Sequence, residues 1–451
     1  MTMLAQFLKQ KGNIISGSDI KDTFLTDAVL KKEKIRVFTP PMKKNLYPLP
    51  DMIVHSSAFT PQNNPEMAHI LSNLEVFKNI PLISYAACLG QTFNDYYGIA
   101  VCGSHGKTTT SAWLGYVLKK AGKEPNVLVG SSVLQFKGSA LVGRSRYFVA
   151  EVDEYQNKLK YFNPQMALIN NIEFDHPDFF PNEKSYIKVF SDFIKKIPSQ
   201  GFLIANHGDK NLRKITSHCK GMVISYDVEI EKDKADYVAY DLEMRGGRQF
   251  FKLAGQGVFS IRLLGRHNVY NALAVIASAR ALKVSWQDIK KHLAGFKGTT
   301  RRTQVIGHFN KALIIDDYAH HPSEIKSTLA GLRARFKKKR IITVFHPHTY
   351  TRTKALFSDF VSSFLDADEL IVLDIYGSAR EKQGGVSSHQ LVEEIKVYNK
   401  NKLKQQIVKH IPKIKTAACY LKPRLKENDV LVLMGAGDVF RLAEIILGKG
   451  K

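Results

Sequence analysis

The chain has 451 residues, 44% of them hydrophobic and 24% charged; this is an ordinary globular balance in a chain too long for one compact core, so two or three domains are expected. Its 66 Lys and Arg against 41 Asp and Glu give a formal charge of +25. That excess is spread along the chain, which suits phosphate-rich substrates better than nucleic acid, for which no module is identifiable. No apolar run is long enough to cross a bilayer, residues 1–12 are too polar for a secretory signal, and the four cysteines form no Cys-x-x-Cys pair, so a cytoplasmic protein without membrane insertion, disulfides or a cysteine zinc site is expected.

Short β-rich runs alternate with helical stretches, the pattern of parallel α/β sheets. Before residue 98 the candidate strands are Ile14-Ile15, Ile35–Phe38 and Met52–Ser57. A second, more apolar series holds Ile99–Cys102, Tyr147–Val152, Met166–Asn170 and Phe202–Ala205, and a third holds Ala312–Ile315, Ile341–Phe345, Leu370–Leu373 and Val430–Met434. The polar stretch Phe296-Lys297-Gly298-Thr299-Thr300 reads as a linker, which places domain boundaries near residues 97 and 298. The basic run Lys337–Arg340 reads as a solvated helix end and Lys396–Lys409 as a polar connector.

The strongest local signal is Gly103-Ser104-His105-Gly106-Lys107-Thr108-Thr109-Thr110, between the strand Ile99–Cys102 and a helix over Ser111–Lys120. A glycine-rich turn there lets backbone N–H groups and a helix N-terminus converge on phosphate oxygens. Lys107 can neutralise the outer phosphates and the Thr108 hydroxyl can ligate Mg²⁺. The string departs from the full phosphate-loop pattern, because Val101 stands where its first glycine belongs. The bland alternative is a glycine-rich strand-to-helix turn; nucleotide binding is the better reading.

Two later strand ends carry matching chemistry, Glu151-Val152-Asp153-Glu154 and Asn170-Asn171-Ile172-Glu173-Phe174-Asp175-His176. Ligands of open α/β sheets bind beyond the carboxyl ends of the strands. Carboxylate oxygens suit Mg²⁺, and a neutral imidazole can complete a metal's shell. A surface Glu or a capping Asp-His explains either cluster alone; their joint position downstream of a phosphate loop favours a metal.

At this point the sequence resembles the Mur ligase family along its whole length. The markers are Gly103–Thr110, Glu151–Tyr155, Asn170–His176, Gly265-Arg266-His267-Asn268-Val269-Tyr270-Asn271, Arg301-Arg302 and Asp316-Asp317-Tyr318-Ala319-His320-His321-Pro322. The resemblance implies three α/β domains: a Rossmann-like UDP-substrate domain over 1–97, a P-loop-type ATP-binding domain over 98–298, and a Rossmann-like amino-acid domain over 299–451. It implies a ligase that uses ATP and Mg²⁺, activates the carboxylate of UDP-N-acetylmuramate as an acyl phosphate and joins it to an amine. Asp316–Pro322, His346–Thr353 and Asp374–Lys382 point to L-alanine as the amine, whereas Glu151–Tyr155 and Glu173–Phe180 look closer to members that add a peptide in wall recycling. A basic nucleotide- or nucleic-acid-binding protein without ligase activity is the alternative of another class.

The family's expected opening strand and Gly-x-Gly-Gly-x-Gly loop are missing before Met1-Thr2-Met3-Leu4-Ala5, so part of the UDP site is expected to be lacking. Carried over residue by residue, the resemblance places Gly103, Ser104, His105, Gly106, Lys107, Thr108 and Thr109 on the phosphates. It gives the metal to Thr108, Glu151 and His176, adenine to His267, Asn268 and Asn271, and further ATP contacts to Arg302 and Asp317, the latter at ribose. His320, His348 and Arg352 would position the amino acid, with Arg352 pairing its carboxylate. Thr349 stands where some members carry another arginine.

Overall fold

The computed structural model describes residues 1–21, 26–231, 234–377, 381 and 383–448. These divide into two compact units. One comprises Met1–Ile172, Ile187–Tyr226 and Ala274–Phe296; the other comprises Glu173–Tyr186, Asp227–Leu273 and the chain from Lys297 onward.

In the first unit the strand Tyr97–Cys102 lies between two parallel neighbours, Met166–Ile169 and Tyr147–Glu151. Phe202–Asn206 and Met222–Val228 extend the sheet on one side, and Asn126–Val133 with antiparallel Gly138–Leu141 on the other. The central strand is nearly continuous apolar sequence, Tyr-Gly-Ile-Ala-Val-Cys, as a strand covered on both faces requires. The helix Lys107–Lys120 that follows it is buried from Thr108 to Leu118. Trp113 stacks on Phe296, ring centroids 5.3 Å apart, and its Nε1–H donates to the Leu293 carbonyl at 3.2 Å. This packing holds the loop behind the strand in one place.

Residues 1–97 open with a helix over Thr2–Gln10, which buries Leu4 and Phe7. They include two short parallel pairs, Ser16–Ser18 with Arg36–Phe38 and Ile53–His55 with Leu82–Ser84, and further helices such as Pro65–Ser72 and Tyr85–Asn94. The first strand begins two residues later than the expected Ile14-Ile15, and Ile14 itself is almost fully exposed.

The second unit contains an antiparallel meander of Tyr237–Arg245, Arg248–Leu253 and Gly257–Ile261. Its main sheet is ordered Gln304–Phe309, Ala312–Asp317, Asp429–Met434, Arg340–Phe345, Glu369–Val372, Ile407–His410. The pairs from Ala312–Asp317 onward are parallel. Strand residues alternate between two cores, as a period of two dictates. Ile315, Ile341, Val430 and Val432 pack on one face with Leu329, Leu332, Leu391 and Ile395, while Ile314, Ile342, Leu431 and Leu433 pack on the other with Ala417, Leu421, Leu442 and Ile446. The fold is therefore α/β with helices on both faces.

Two expectations need correction here. Lys396–Lys409 is no connector: its first half ends the helix Ser388–Asn401 and its last part belongs to the edge strand Ile407–His410. The lysines conceal an amphipathic stripe, since Leu391, Val392, Ile395 and Asn399 are buried at helical spacing while Val408 alone is buried in its strand. Similarly, the basic run Lys337–Arg340 follows the helix Pro322–Arg335 instead of ending it. Arg340 opens a strand, with its guanidinium bonded to both oxygens of Asp429 at 2.9 and 3.0 Å.

Candidate active site

In the first unit, the turn after Tyr97–Cys102 is laid directly on the strand end beside it. Gly103 sits at φ +119°, and a Cβ there would come 2.8 Å from the Asn171 carbonyl; glycine is required by approach as well as by conformation. Ser104 N–H donates to the Asn171 carbonyl at 3.1 Å, and His105 N–H donates to Asn171 Oδ1 at 2.7 Å. Asn170 Nδ2 bonds the His105 carbonyl and Thr110 Oγ1. Gly106, at φ +79°, is the residue before the helix Lys107–Lys120. The first turn of that helix has N–H groups without helical acceptors, aimed along the dipole's positive end.

Lys107 Nζ folds over this turn, 2.6 Å from the Gly103 carbonyl, 3.1 Å from that of Ser104 and 3.3 Å from Glu154 Oε2. Thr108 Oγ1 donates to Glu151 Oε1 at 2.7 Å, and the other Glu151 oxygen accepts Gly130 N–H at 2.6 Å. The structure thus brings Lys107, Thr108, Thr109 and Glu151 into one cluster of the first unit. Two further members join it, Glu154 of the strand-end carboxylate cluster and Gly130, which no motif marks. Glu154 is a nearly fully buried carboxylate against Lys107, and Gly130 has no room for a side chain, since a Cβ would lie 2.9 Å from Glu151 Oε2. Beside Glu151 opens a cavity of about 300 Å³ whose walls include Tyr85, Gly130, Ser139, Asp153 and Lys158. Lys158 Nζ bonds both Asp153 oxygens at 2.9 and 3.0 Å.

The remaining residues belong to the second unit. His176, expected with the metal set, lies there at φ +57° beside Asp175, which accepts the His176 N–H at 2.7 Å. His267, Asn268 and Asn271 form a relay at the start of the helix Arg266–Ala281: Asn271 Nδ2 donates to Asn268 Oδ1 at 3.1 Å, and Asn268 Nδ2 bonds His267 Nε2 at 2.9 Å. Nε2 therefore accepts, which puts the ring proton on Nδ1. That Nδ1 is buried without a hydrogen-bond partner among the described residues. Burial, then the nearby Arg302 guanidinium, pushes the His267 imidazole down to about 4, so it is neutral at physiological pH.

Arg302 lies over the Tyr318 ring at 5.2 Å and donates to Glu324 at 3.3 Å. The buried Asp317 accepts Thr303 N–H and Oγ1–H at 2.6 and 3.0 Å and Ala319 N–H at 2.8 Å. Three of its roughly four lone-pair positions are committed to holding these turns. Burial raises its carboxyl above the ordinary range. The preceding Arg301 is an internal brace, bonded to Asp316 at 3.1 Å and to the Gly435 carbonyl at 2.7 Å.

His320, His348 and Arg352 come together. The two imidazoles sit edge to face with centroids 6.4 Å apart, and His348 stacks on Tyr376 at 5.7 Å. Burial drives His320 down to about 3 and His348 to about 4. Arg352 is buried in a two-pronged pair with Asp175, Nε to Oδ1 at 2.9 Å and Nη2 to Oδ2 at 3.3 Å. No local pattern signals this partner. Thr349 caps the helix Tyr350–Ala355 from φ +70°. Of the segment Asp374–Lys382, residues Ser378, Ala379, Arg380 and Lys382 lie outside the described residues. Glu381 accepts Thr351 N–H and Oγ1–H at 2.9 Å.

Models of three Mur ligase segments match almost the entire chain: the Mur ligase family catalytic domain over residues 1–97, the middle domain over 101–279 and the glutamate ligase domain over 301–437. The chain belongs to the Mur ligase family. A UDP-N-acetylmuramate–L-alanine ligase of Clostridium acetobutylicum is 36% identical over 452 aligned positions, covering 100% of this chain and 95% of that protein. The crystal structure of a UDP-N-acetylmuramate-alanine ligase from Thermotoga maritima matches the fold with a TM-score of 0.79 at 24% identity, covering 100% of this chain and 96% of that one. A murein peptide ligase of Psychrobacter arcticus matches the same fold with a TM-score of 0.73 at 23% identity, over 100% and 96% of the two chains. Among the described residues no helix is long and apolar enough to cross a membrane.

Proposed function

We propose that this Mur ligase is a cytoplasmic, ATP-dependent enzyme of peptidoglycan synthesis that joins L-alanine to the carboxylate of UDP-N-acetylmuramate through an acyl phosphate. The observation that carries this reading is the 36% identity, over the whole chain, to a relative bearing that activity's name. Residues 1–97 would take the UDP substrate, 98–298 ATP and 299–451 the amino acid.

The reaction brings a carboxylate to a triphosphate, so the protein must supply positive charge and N–H donors where negative charge accumulates. Gly103–Thr109 present backbone N–H groups, and Lys107 is placed to leave the carbonyls of its own turn for the outer phosphates. The Thr108 hydroxyl and Glu151 carboxylate, 2.7 Å apart, are a hard oxygen pair that fits Mg²⁺; the family resemblance alone adds His176 as a ligand. When bound, the ion supplies charge neutralisation between phosphate and carboxylate. The cavity beside Glu151 would hold the carboxylate-bearing end of the substrate. His267 offers its buried Nδ1–H to adenine, in a tautomer set by Asn268 and Asn271. Arg302 and the last lone pair of Asp317 would serve the rest of ATP. His320 and His348, both neutral, and the cationic Arg352 would seat L-alanine.

The test is phosphate release with ATP, Mg²⁺ and UDP-N-acetylmuramate, comparing L-alanine, glycine, L-serine and the tripeptide. L-alanine is expected to give the highest kcat/KM. A tripeptide preference would move the protein to the wall-recycling activity, and no release with any amine would remove ligase function.

A further inference from the structure

The ion pair between Asp175 and Arg352 joins residues 177 positions apart, and both side chains are only 6% exposed. A guanidinium has five N–H groups on a planar fork. Here Nε and Nη2 go to Asp175 at 2.9 and 3.3 Å, and Nη1 lies 3.3 Å from the His348 carbonyl and 3.5 Å from its Nδ1. The Nε–Nη2 edge of the fork is thereby committed, and of the other edge Nη1 donates one hydrogen to the His348 carbonyl, which leaves N–H capacity on both Nη1 and Nη2. The frame around it is stiff: Thr349 N–H donates to the Tyr376 carbonyl at 2.9 Å, and Tyr376 stacks on His348. The same Asp175 carboxylate accepts the His176 N–H at 2.7 Å.

We propose that Asp175 is a positioning residue for the amine site: it grips one edge of Arg352 so that the other edge meets the carboxylate of the incoming amino acid, in fixed register with residue 176. This rests on the reading of Arg352 given above. The physical reason lies in the two costs of a loose arginine. A buried guanidinium without a counter-ion is expensive, so it would swing toward any available acceptor. A second, correctly angled carboxylate then binds only after that motion is frozen, and a fixed fork avoids the loss. With His320 and His348 neutral, Arg352 is the cation of this cluster that an amino-acid carboxylate can meet in two-pronged fashion.

The experiment compares wild type, Asp175→Asn, Asp175→Glu and Arg352→Lys with two amines, L-alanine and L-alaninamide, at saturating ATP and UDP-N-acetylmuramate. L-alaninamide lacks the carboxylate. Asp175→Asn is expected to raise KM for L-alanine tenfold or more, while kcat/KM for L-alaninamide stays within twofold of wild type. Asp175→Glu, which keeps the charge and so protects folding, is expected to show the same amine-selective loss at smaller size. Arg352→Lys should abolish the preference for L-alanine over its amide. Equal losses for both amines in the Asp175 variants, with wild type discriminating between the amines, would overturn the positioning role alone. A wild-type enzyme that uses the two amines equally would overturn the Arg352 reading and this proposal together.

Discussion

Lys107, proposed to serve the outer phosphates, also belongs to a buried ion pair with Glu154. The ammonium sits 3.3 Å from a carboxylate that is 1% exposed, and it also spans two carbonyls of its own turn. Removing one partner of a buried pair leaves the other charge uncompensated, at a cost of roughly 3–5 kcal/mol. Lys107→Ala is therefore expected to remain folded with a lowered Tm and to lose turnover by about a thousandfold or more, the scale of losing a key electrostatic group. In the double variant Lys107→Ala/Glu154→Gln, Tm should recover and turnover should not. Recovery of both would mean that Lys107 is a structural cation and that the turn does not serve phosphate. Lys107 was legible in the sequence because its neighbours in sequence are its neighbours in space. Glu154 stood in the strand-end carboxylate cluster, but its pairing with Lys107 was not legible, because 47 positions separate the two residues.

At the scale of elements, the glycine turn Gly103–Gly106 is only as well placed as the helix Lys107–Lys120 behind it. That helix presses against the strand Asn126–Val133 at Gly115, where an added Cβ would come 2.7 Å from Val127 Cγ1. Alanine is the better helix former by about 1 kcal/mol, but overpacking a dense core costs about 1–3 kcal/mol. Packing should win. Gly115→Ala is expected to lower Tm and raise the KM for ATP, with Gly115→Ala/Val127→Ala recovering both in part. A Tm increase in the single variant would show that helix and strand can part without loss. Element type was largely readable, since the apolar strands and the glycine turn are local signals. The segment Lys396–Lys409 reads as a connector because its lysines hide the last turn of the helix Ser388–Asn401, whose buried stripe of Leu391, Val392, Ile395 and Asn399 acquires meaning only against the sheet.

At the scale of the whole molecule, buried histidines set the acid response. His267, His320 and His348 are held down to about 4, 3 and 4, while the unfolded chain takes up its histidine protons near pH 6.5. Between those values the unfolded state binds more protons, so stability is lost as pH falls from about 6.5 toward 4, with each group contributing up to about 1.4 kcal/mol per pH unit. Asp316 and Asp317 work in the opposite sense: burial raises the folded value of Asp316 to about 6 and that of Asp317 above the carboxylate range, so both favour the folded state as pH falls and offset part of the histidine effect. Asp175, held well below the carboxylate range against the burial that opposes it, chiefly by Arg352, keeps its contribution through the window and loses it only at lower pH. Tm is expected to be flat above pH 7 and to fall steeply between pH 6.5 and 4.5, with a shallower fall in His320→Gln. Equal wild-type Tm at pH 7 and pH 5 would contradict the neutral burial of these imidazoles.

The division between sequence and tertiary structure follows from the range of the forces involved. The sequence alone determined the α/β alternation, the strand-to-helix turn at Gly103–Thr110 and the family, because hydrophobic period and glycine conformation act over a few residues. Tertiary structure alone decided which charges meet. Sheet order puts Glu151 on Thr108 across 43 positions, and the folding of the second unit puts Asp175 on Arg352 across 177. A carboxylate in the sequence has many possible partners. Burial selects among them, because an ion removed from water must find its counter-ion within hydrogen-bonding distance.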